Sequence, residues 1–320
     1  MKKLLLIGLP VALLSFTFAD KAREIVTSNF HVECEGGPGM LDGEYISYWK
    51  NGKKKAAGEM SCNRRTGEWK LWDSTGKLLM TRMYSSAWSW TCSYPDNAEP
   101  ANSRSRLDTT QQGLVRYNWE QDSLSSIMRL WYYIPYDARN PVFLHRGLVD
   151  SLIKMSSGID AHPMGKDDEL RIPYAPSEFA LQVDLCDPAH RLLGYRIKED
   201  WLYDYTMQTG VRQIVALCPV LQGKNPGDSV DLAWFYYPPL EVWMSSFRYV
   251  PAHLTSYPDN LADQFSGHCF AGSVYKASNK EGKPLHELYS GPKLELEQQF
   301  WELAPYEYEH DAWFAFYSRK

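Results

Sequence analysis

Hydrophobic and polar positions change period several times along the chain. Between residues 41 and 77 the stretch LDGEYISYWKNGKKKAAGEMSCNRRTGEWKLWDSTGK writes one phrase twice. Gly43-Glu44-Tyr45 falls on Gly67-Glu68-Trp69, Tyr48 on Trp72 and Gly52-Lys53 on Gly76-Lys77, each pair 24 residues apart. Each unit reads as a strand whose two aromatics, Tyr45 and Tyr48 or Trp69 and Trp72, stand three residues apart, followed by a glycine turn. Asn51-Gly52 predicts a type I′ hairpin turn, because both central residues of that turn need positive φ. A short period of this kind marks stacked units that cover one another's open faces. Residues 20–93 are therefore expected to form an antiparallel β module.

After Trp90-Thr91-Cys92 the composition shifts to YPDNAEPANSRSRLDTTQQG, which has almost no large apolar residue and reads as a linker over residues 94–118. Beyond it helical and strand periods alternate. SIMRLWYYIP places Ile127, Leu130, Trp131 and Ile134 at helical spacing ahead of Pro135, and GLVDSLIKMSSG does the same with Leu148, Leu152 and Met155 ahead of Gly158. FALQVDL alternates strictly and predicts a strand, forming an antiparallel hairpin with LLGYRIKEDWLYD. RQIVALCPV and DLAWFYYPP are apolar on both faces, as interior strands are, and each ends at proline. PLEVWMSSF predicts a helix with Pro239 near its first position. Residues 119–291 thus predict an α+β domain with a mainly antiparallel sheet and flanking helices. The last segment, 292–320, has Leu296, Phe300 and Leu303 at helical spacing, then the aromatic cluster Trp313, Phe314, Phe316 and Tyr317. That cluster either docks on the domain or meets a partner.

The first line of the sequence changes the picture. MKKLLLIGLPVALLSFTFAD has two lysines, a short apolar run and a small residue at Ala19, the layout of a secretory signal peptide over residues 1–19. No later stretch is long and apolar enough to span a membrane. The site of action is therefore expected to be the periplasm or exterior, and no cysteine at the cleavage junction offers a lipid anchor. A net charge of −5 argues against a general nucleic-acid binder, and Lys53, Lys54 and Lys55 read as a solvated turn. Three of the six cysteines, Cys34, Cys62 and Cys92, lie in the first third, and Cys186, Cys218 and Cys269 lie beyond it. Three per part cannot all pair within their own part, and at most one or two bridges are expected, with the partners open.

Two resemblances emerge from these residues. The glycine and aromatic positions of the 24-residue phrase resemble the MORN-type repeat. GLVDSLIKMSSGIDAHPMGKDDEL, YRIKEDWLYDYTMQTGVRQIVALCPV, LAWFYYPPLEVWMSSF and FAGSVYKASN, in that order, resemble the gliding-motility and type IX secretion family GldN/PorN over about residues 120–290. This second resemblance implies a non-catalytic periplasmic ring subunit. Such a subunit associates with copies of itself and with an outer-membrane lipoprotein that supplies the anchor.

Candidate chemistry is sparse. The sequence has no G-x-S-x-G, H-E-x-x-H or P-loop, and no histidine pair at i, i+4. Neither a cofactor nor a metal is expected. Asp167, Asp168 and Glu169 lack the alternation of a calcium loop and read as a solvated acidic loop. His268-Cys269 reads as a core cysteine beside a turn histidine. In RIKEDW, Arg196, Lys198 and Asp200 lie opposite Tyr195, Ile197, Glu199 and Trp201. These charges, with Arg212 across the turn, are either cross-strand ion pairs of a half-exposed strand or an interface that sets register against a neighbouring subunit. Arg196, Lys198, Asp200, Trp201 and Arg212 are the candidate interface. Tyr45, Tyr48, Trp69 and Trp72 either pack on one another or offer a stacking platform for glycan or peptidoglycan, the alternative function.

Overall fold

The computed structural model describes residues 23–35, 39–86, 89–95, 124–137, 140, 147–156, 164–205, 208–247, 260–279 and 281–318. The leader at 1–19 and most of the 94–118 linker lie outside the described residues. The fold is α+β, with an amino-terminal antiparallel sheet and a second antiparallel sheet carrying the helices.

The first sheet is a seven-stranded meander in chain order: β1 Arg23–Val26, β2 His31–Cys34, β3 Gly43–Tyr48, β4 Lys54–Ser61, β5 Arg64–Trp72, β6 Leu78–Ser86 and β7 Ser89–Ser93. The doubled phrase is one hairpin built twice. Trp49 N–H donates to the Lys53 carbonyl (2.8 Å) and Gly52 N–H to Trp49 (2.8 Å); Asp73 and Gly76 repeat both bonds at 2.9 Å. The turns also stack, since Asn51 Nδ2 donates to the Ser74 carbonyl (2.7 Å) and Trp49 Nε1 to that of Trp72 (3.1 Å). The turn at Asn51-Gly52 is not type I′, because only Gly52 has positive φ there (80°). It is a glycine-bulge turn, with the strand register shifting between Ser47 and Tyr48. The I′ geometry sits instead between β4 and β5, where Cys62 (49°) and Asn63 (59°) both have positive φ.

The second sheet runs β14-β8-β10-β11-β13-β9, with β12 also paired to β11. Its elements are β8 Leu124–Pro135, α1 Gly147–Ser156, β9 Met164–Gly165, α2 Pro176–Val183, β10 Leu192–Asp204, β11 Thr209–Gln222, β12 Ser229–Asp231, β13 Trp234–Tyr236, α3 Tyr237–Met244, α4 Leu261–Ser266, β14 Ser273–Ala277, α5 Leu285–Leu288 and α6 Pro292–Tyr317. Two local expectations are corrected. SIMRLWYYIP is strand β8, not a helix: Leu130, Tyr132 and Ile134 also alternate, all three are buried, and the aromatic-rich segment suits a pleated surface. FALQVDL is helix α2, not a strand. Pro176 occupies its first turn and the Glu178 carboxylate accepts from the Ala175 N–H (3.1 Å), a start signal that outweighs the alternation. β10 therefore forms its hairpin with β11, in register from Leu192 with Leu221 to Asp204 with Thr209.

Helix α6 settles the fate of the aromatic tail. It packs against β1, β5 and β6 of the first sheet and against β8, β11 and β14 of the second. Trp313 and Tyr317 are buried within the chain, and Phe314 meets Trp49 edge-on at 4.8 Å. One contiguous core runs from Tyr45 and Trp69 through Leu303 and Tyr306 to Tyr132, Trp201 and Ile214. Among the described residues, no helix is long and apolar enough to cross a membrane.

Candidate functional site

β10 is flanked on both sides by strands, β8 and β11, so its alternating side chains face two different environments. Arg196, Lys198 and Asp200 share one face. There the Arg129 guanidinium grips Asp200 with two donors, Nε at 2.5 Å and Nη2 at 2.8 Å. Lys198 Nζ lies 2.9 Å from Glu169 and donates to the Asp168 carbonyl (2.8 Å), while Lys276 Nζ meets the Asp168 carboxylate at 2.6 Å. The ammonium of Lys276 sits 4.4 Å above the Trp131 ring. Arg196 pairs with Asp231 (3.2 Å) and covers Tyr275. The acidic loop is thus not merely solvated: Asp168 and Glu169 strap it across the sheet. Lys198 and Asp200 are sealed beneath this strap, whereas Arg129, Glu169, Arg196 and Asp231 reach solvent.

Trp201 and Arg212 are placed on the other face, against the first sheet. Arg212 lies over the Trp201 ring (5.0 Å) and its Nη2 donates to the Asn63 carbonyl (2.9 Å). Tyr306 Oη donates to the same carbonyl (2.8 Å), and its ring meets Trp201 at 5.3 Å. Nearby, the buried Glu199 carboxylate stands 3.4 Å from His268 Nδ1.

The repeat aromatics divide in the same way. Tyr45 and Trp69 are buried, 5.6 Å apart, and each ring centre is 5.7 Å from that of His310 on α6. A sugar ring needs an open aromatic face, which these two lack. Tyr48 and Trp72 are half-buried; Tyr48 stacks on His31 (4.8 Å) and donates to Glu33 (2.9 Å).

Between sheet and helix lies a polar cluster that local sequence patterns do not reveal. Lys55 Nζ meets Glu307 Oε2 at 2.8 Å and Asp311 at 2.8 Å, and Tyr45 Oη donates to Glu307 Oε1 (2.9 Å). Arg65 Nη1 pairs with Glu309 (2.5 Å), and its Nη2 lies 3.0 Å from His310 Nε2. A guanidinium only donates, so Nε2 must accept. His310 is then the neutral imidazole with its proton on Nδ1, donated to Glu307 Oε1 at 2.9 Å. The electrostatics agree. Burial holds the His310 and His268 imidazoles below their ordinary range, with Glu307 and Glu199 only partly offsetting it. Burial alone would raise Glu307 and Glu309, but Lys55 and Arg65 respectively outweigh it and hold both carboxyls low. The repeat itself carried a signal for Lys55: its counterpart 24 residues on is Leu79, an apolar residue. A cavity of about 50 Å³ remains at this seam, lined in part by Arg64, Arg65, Arg212 and Glu309. Small-molecule pockets run to about 300–1,000 Å³.

All four shifted groups point the same way with pH. Their folded values lie below the unfolded ones, so the unfolded chain binds more protons on acidification and stability falls as pH falls. The histidine contribution is present above about pH 6.5 and is lost below it; the carboxylate contribution is lost below about pH 4.3. Urea midpoints should therefore drop from pH 7 to pH 5, with a smaller drop in His310→Gln, and then drop again in the acid range. Equal midpoints at pH 7 and pH 5 would refute the neutral, buried imidazoles.

Among the described residues, no group of three or more His, Cys, Asp or Glu side chains could hold a metal ion. No curated protein matches the chain. The sequence model of the family described as gliding motility associated protein GldN matches residues 148–314, just over half of the chain. The match starts after β8 and ends within α6, so it takes in the strap, both faces of β10 and the helix on which the first sheet sits. The chain therefore belongs to the GldN family of gliding-motility and type IX secretion components.

Proposed function

We propose that the chain is a non-catalytic structural subunit of the type IX secretion or gliding apparatus, acting in the periplasm and assembling with an outer-membrane lipoprotein and with further copies of itself. The family match over residues 148–314 carries this proposal; the leader pattern at residues 1–19 supports export. The strapped face of β10 is the surface offered to a partner, through the solvent-reaching half of its charges, Arg196 and Arg129 with Glu169 and Asp231. Trp201 and Arg212 serve the contact within the chain. The MORN-like sheet is an adaptor that moves with the family domain because α6 is common to both. Burial of Tyr45 and Trp69 favours this role over glycan reading.

A clean deletion in the native organism should trap type IX cargo in the periplasm, and crosslinking of envelope fractions should recover the chain in large assemblies containing a lipoprotein. Arg196→Glu should lower the melting temperature by only about 2–4 °C, because the pair it breaks with Asp231 is half-exposed and worth about 0–1 kcal/mol. The same substitution should cut co-purification of the partner about tenfold or more, because interfacial like charges cost several kcal/mol. Normal cargo export in the deletion strain would overturn the proposal.

A further inference from the structure

The turn between β4 and β5 and the loop after α4 are held together residue by residue. Asn63 Nδ2 donates to the carbonyls of His268 (2.9 Å) and Phe270 (3.2 Å), bracketing Cys269, while its Oδ1 accepts from the Leu41 N–H (2.6 Å). One residue earlier stands Cys62, whose thiol is within hydrogen-bond reach of Cys269. Both cysteines are buried and all six are thiols in the structure. Cys62 also occupies a left-handed backbone position (φ 49°) that disfavours residues with a Cβ unless they are Asn or Asp. The strain delivers its side chain to Cys269. Each part of the chain has an odd number of cysteines, and this pair crosses between the parts.

We propose that Cys62 and Cys269 form a disulfide in the exported protein, fastening the amino-terminal sheet to the family domain. The proposal rests on the periplasmic assignment above, since only an oxidising compartment sustains such a bond. The oxidant is an envelope dithiol oxidase carrying a disulfide. One cysteine thiolate attacks that disulfide, and the second displaces the oxidase from the mixed disulfide. The Sγ–Sγ bond replaces two S–H bonds, and the two protons and two electrons pass to the oxidase, whose own disulfide becomes a dithiol. The bond forms before the seam closes, because in the folded chain contact with Cys62 and burial push the Cys269 thiol far up and keep it from ionising. Closing a loop of roughly 200 residues restricts the unfolded chain strongly.

The full-length chain, quenched with N-ethylmaleimide in cells and fractionated, should give a linked peptide pair containing Cys62 and Cys269 from the periplasmic fraction. Dithiothreitol should lower its melting temperature by about 5 °C or more. Cys62→Ser and Cys269→Ser should each start at that lower value and ignore dithiothreitol, and the double variant should fall no further. Periplasmic protein with both thiols alkylated would overturn the proposal. Protein confined to the cytoplasm would instead overturn the export assignment. In that case oxidative refolding of the purified chain in glutathione buffer decides the pairing: a Cys62–Cys269 link sustains it, and any other link or none refutes it.

Discussion

Lys55→Met should lower the unfolding free energy by about 3–5 kcal/mol, the usual effect of removing one partner from a buried ion pair. The Lys55 ammonium is almost wholly enclosed, as is Glu307, 2.8 Å away. Without it the Glu307 carboxylate stays in a site where burial alone would drive it to protonate, with only Tyr45 and the neutral His310 donating to it. Adding Glu307→Gln to Lys55→Met should restore much of the loss, because the stranded charge is gone. Asp311→Asn should cost less than about 1 kcal/mol, since Asp311 is open to solvent. Urea unfolding measures all three. A loss below 1 kcal/mol for Lys55→Met would mean that water screens the pair and that α6 does not seal the sheet.

Trp313→Ala should cost a similar amount, about 3–5 kcal/mol for truncating a buried tryptophan. The indole is 1% exposed, and its Nε1 donates to the Gln208 carbonyl at 2.9 Å. Two guanidiniums also lie over its ring, Arg82 at 4.2 Å and Arg65 at 4.8 Å. Trp313→Phe keeps an aromatic ring and loses one of the two hydrogen bonds that the Gln208 carbonyl accepts, the other coming from Arg82 Nη2 (3.1 Å), so it should cost only about 0.5–1.5 kcal/mol. Thermal melts rank the two variants, and limited proteolysis should show earlier cuts in β1–β7 for the alanine variant. Equal melting temperatures for both variants would place the tail outside the core.

Local patterns revealed whichever elements carry their signal locally. The 24-residue phrase announces two like hairpins because its glycine turns and strand aromatics recur at one fixed spacing. RIKEDW and RQIVALCPV announced strands, and GLVDSLIKMSSG announced a helix. β8 is ambiguous to a local reading because Ile127, Leu130, Trp131 and Ile134 satisfy the helical period while Leu130, Tyr132 and Ile134 satisfy the strand period. What decides between them is pairing with β10 and β14, which are distant in sequence. The charges of α6 were illegible for a related reason. Glu307 and His310 serve the first sheet while Tyr306 and Trp313 touch both, so the helix has no single apolar face to detect. Lys55 looked like the third lysine of a solvated turn, although only Lys53 and Lys54 are exposed. Arg196, Lys198 and Asp200 were visible as a charged face; the loop that covers them was not, because Asp168 and Glu169 show their purpose only beside Lys198 and Lys276.

The seat of Tyr45 and Lys55 on Glu307 also dictates an order of events. These bonds join residues 262 and 252 positions apart, and contacts so far apart close late. A ribosome makes the meander first, when its aromatic face has nothing to lie on and Lys55 has no counter-ion. The seam therefore closes only when α6 arrives. A product cut short before α6 would display Tyr45, Trp69 and Lys55 together, the kind of open apolar surface that chaperones and proteases seize. Helix α6 thus acts as a proofreading mark: only a copy that carries it can hide Tyr45, Trp69 and Lys55.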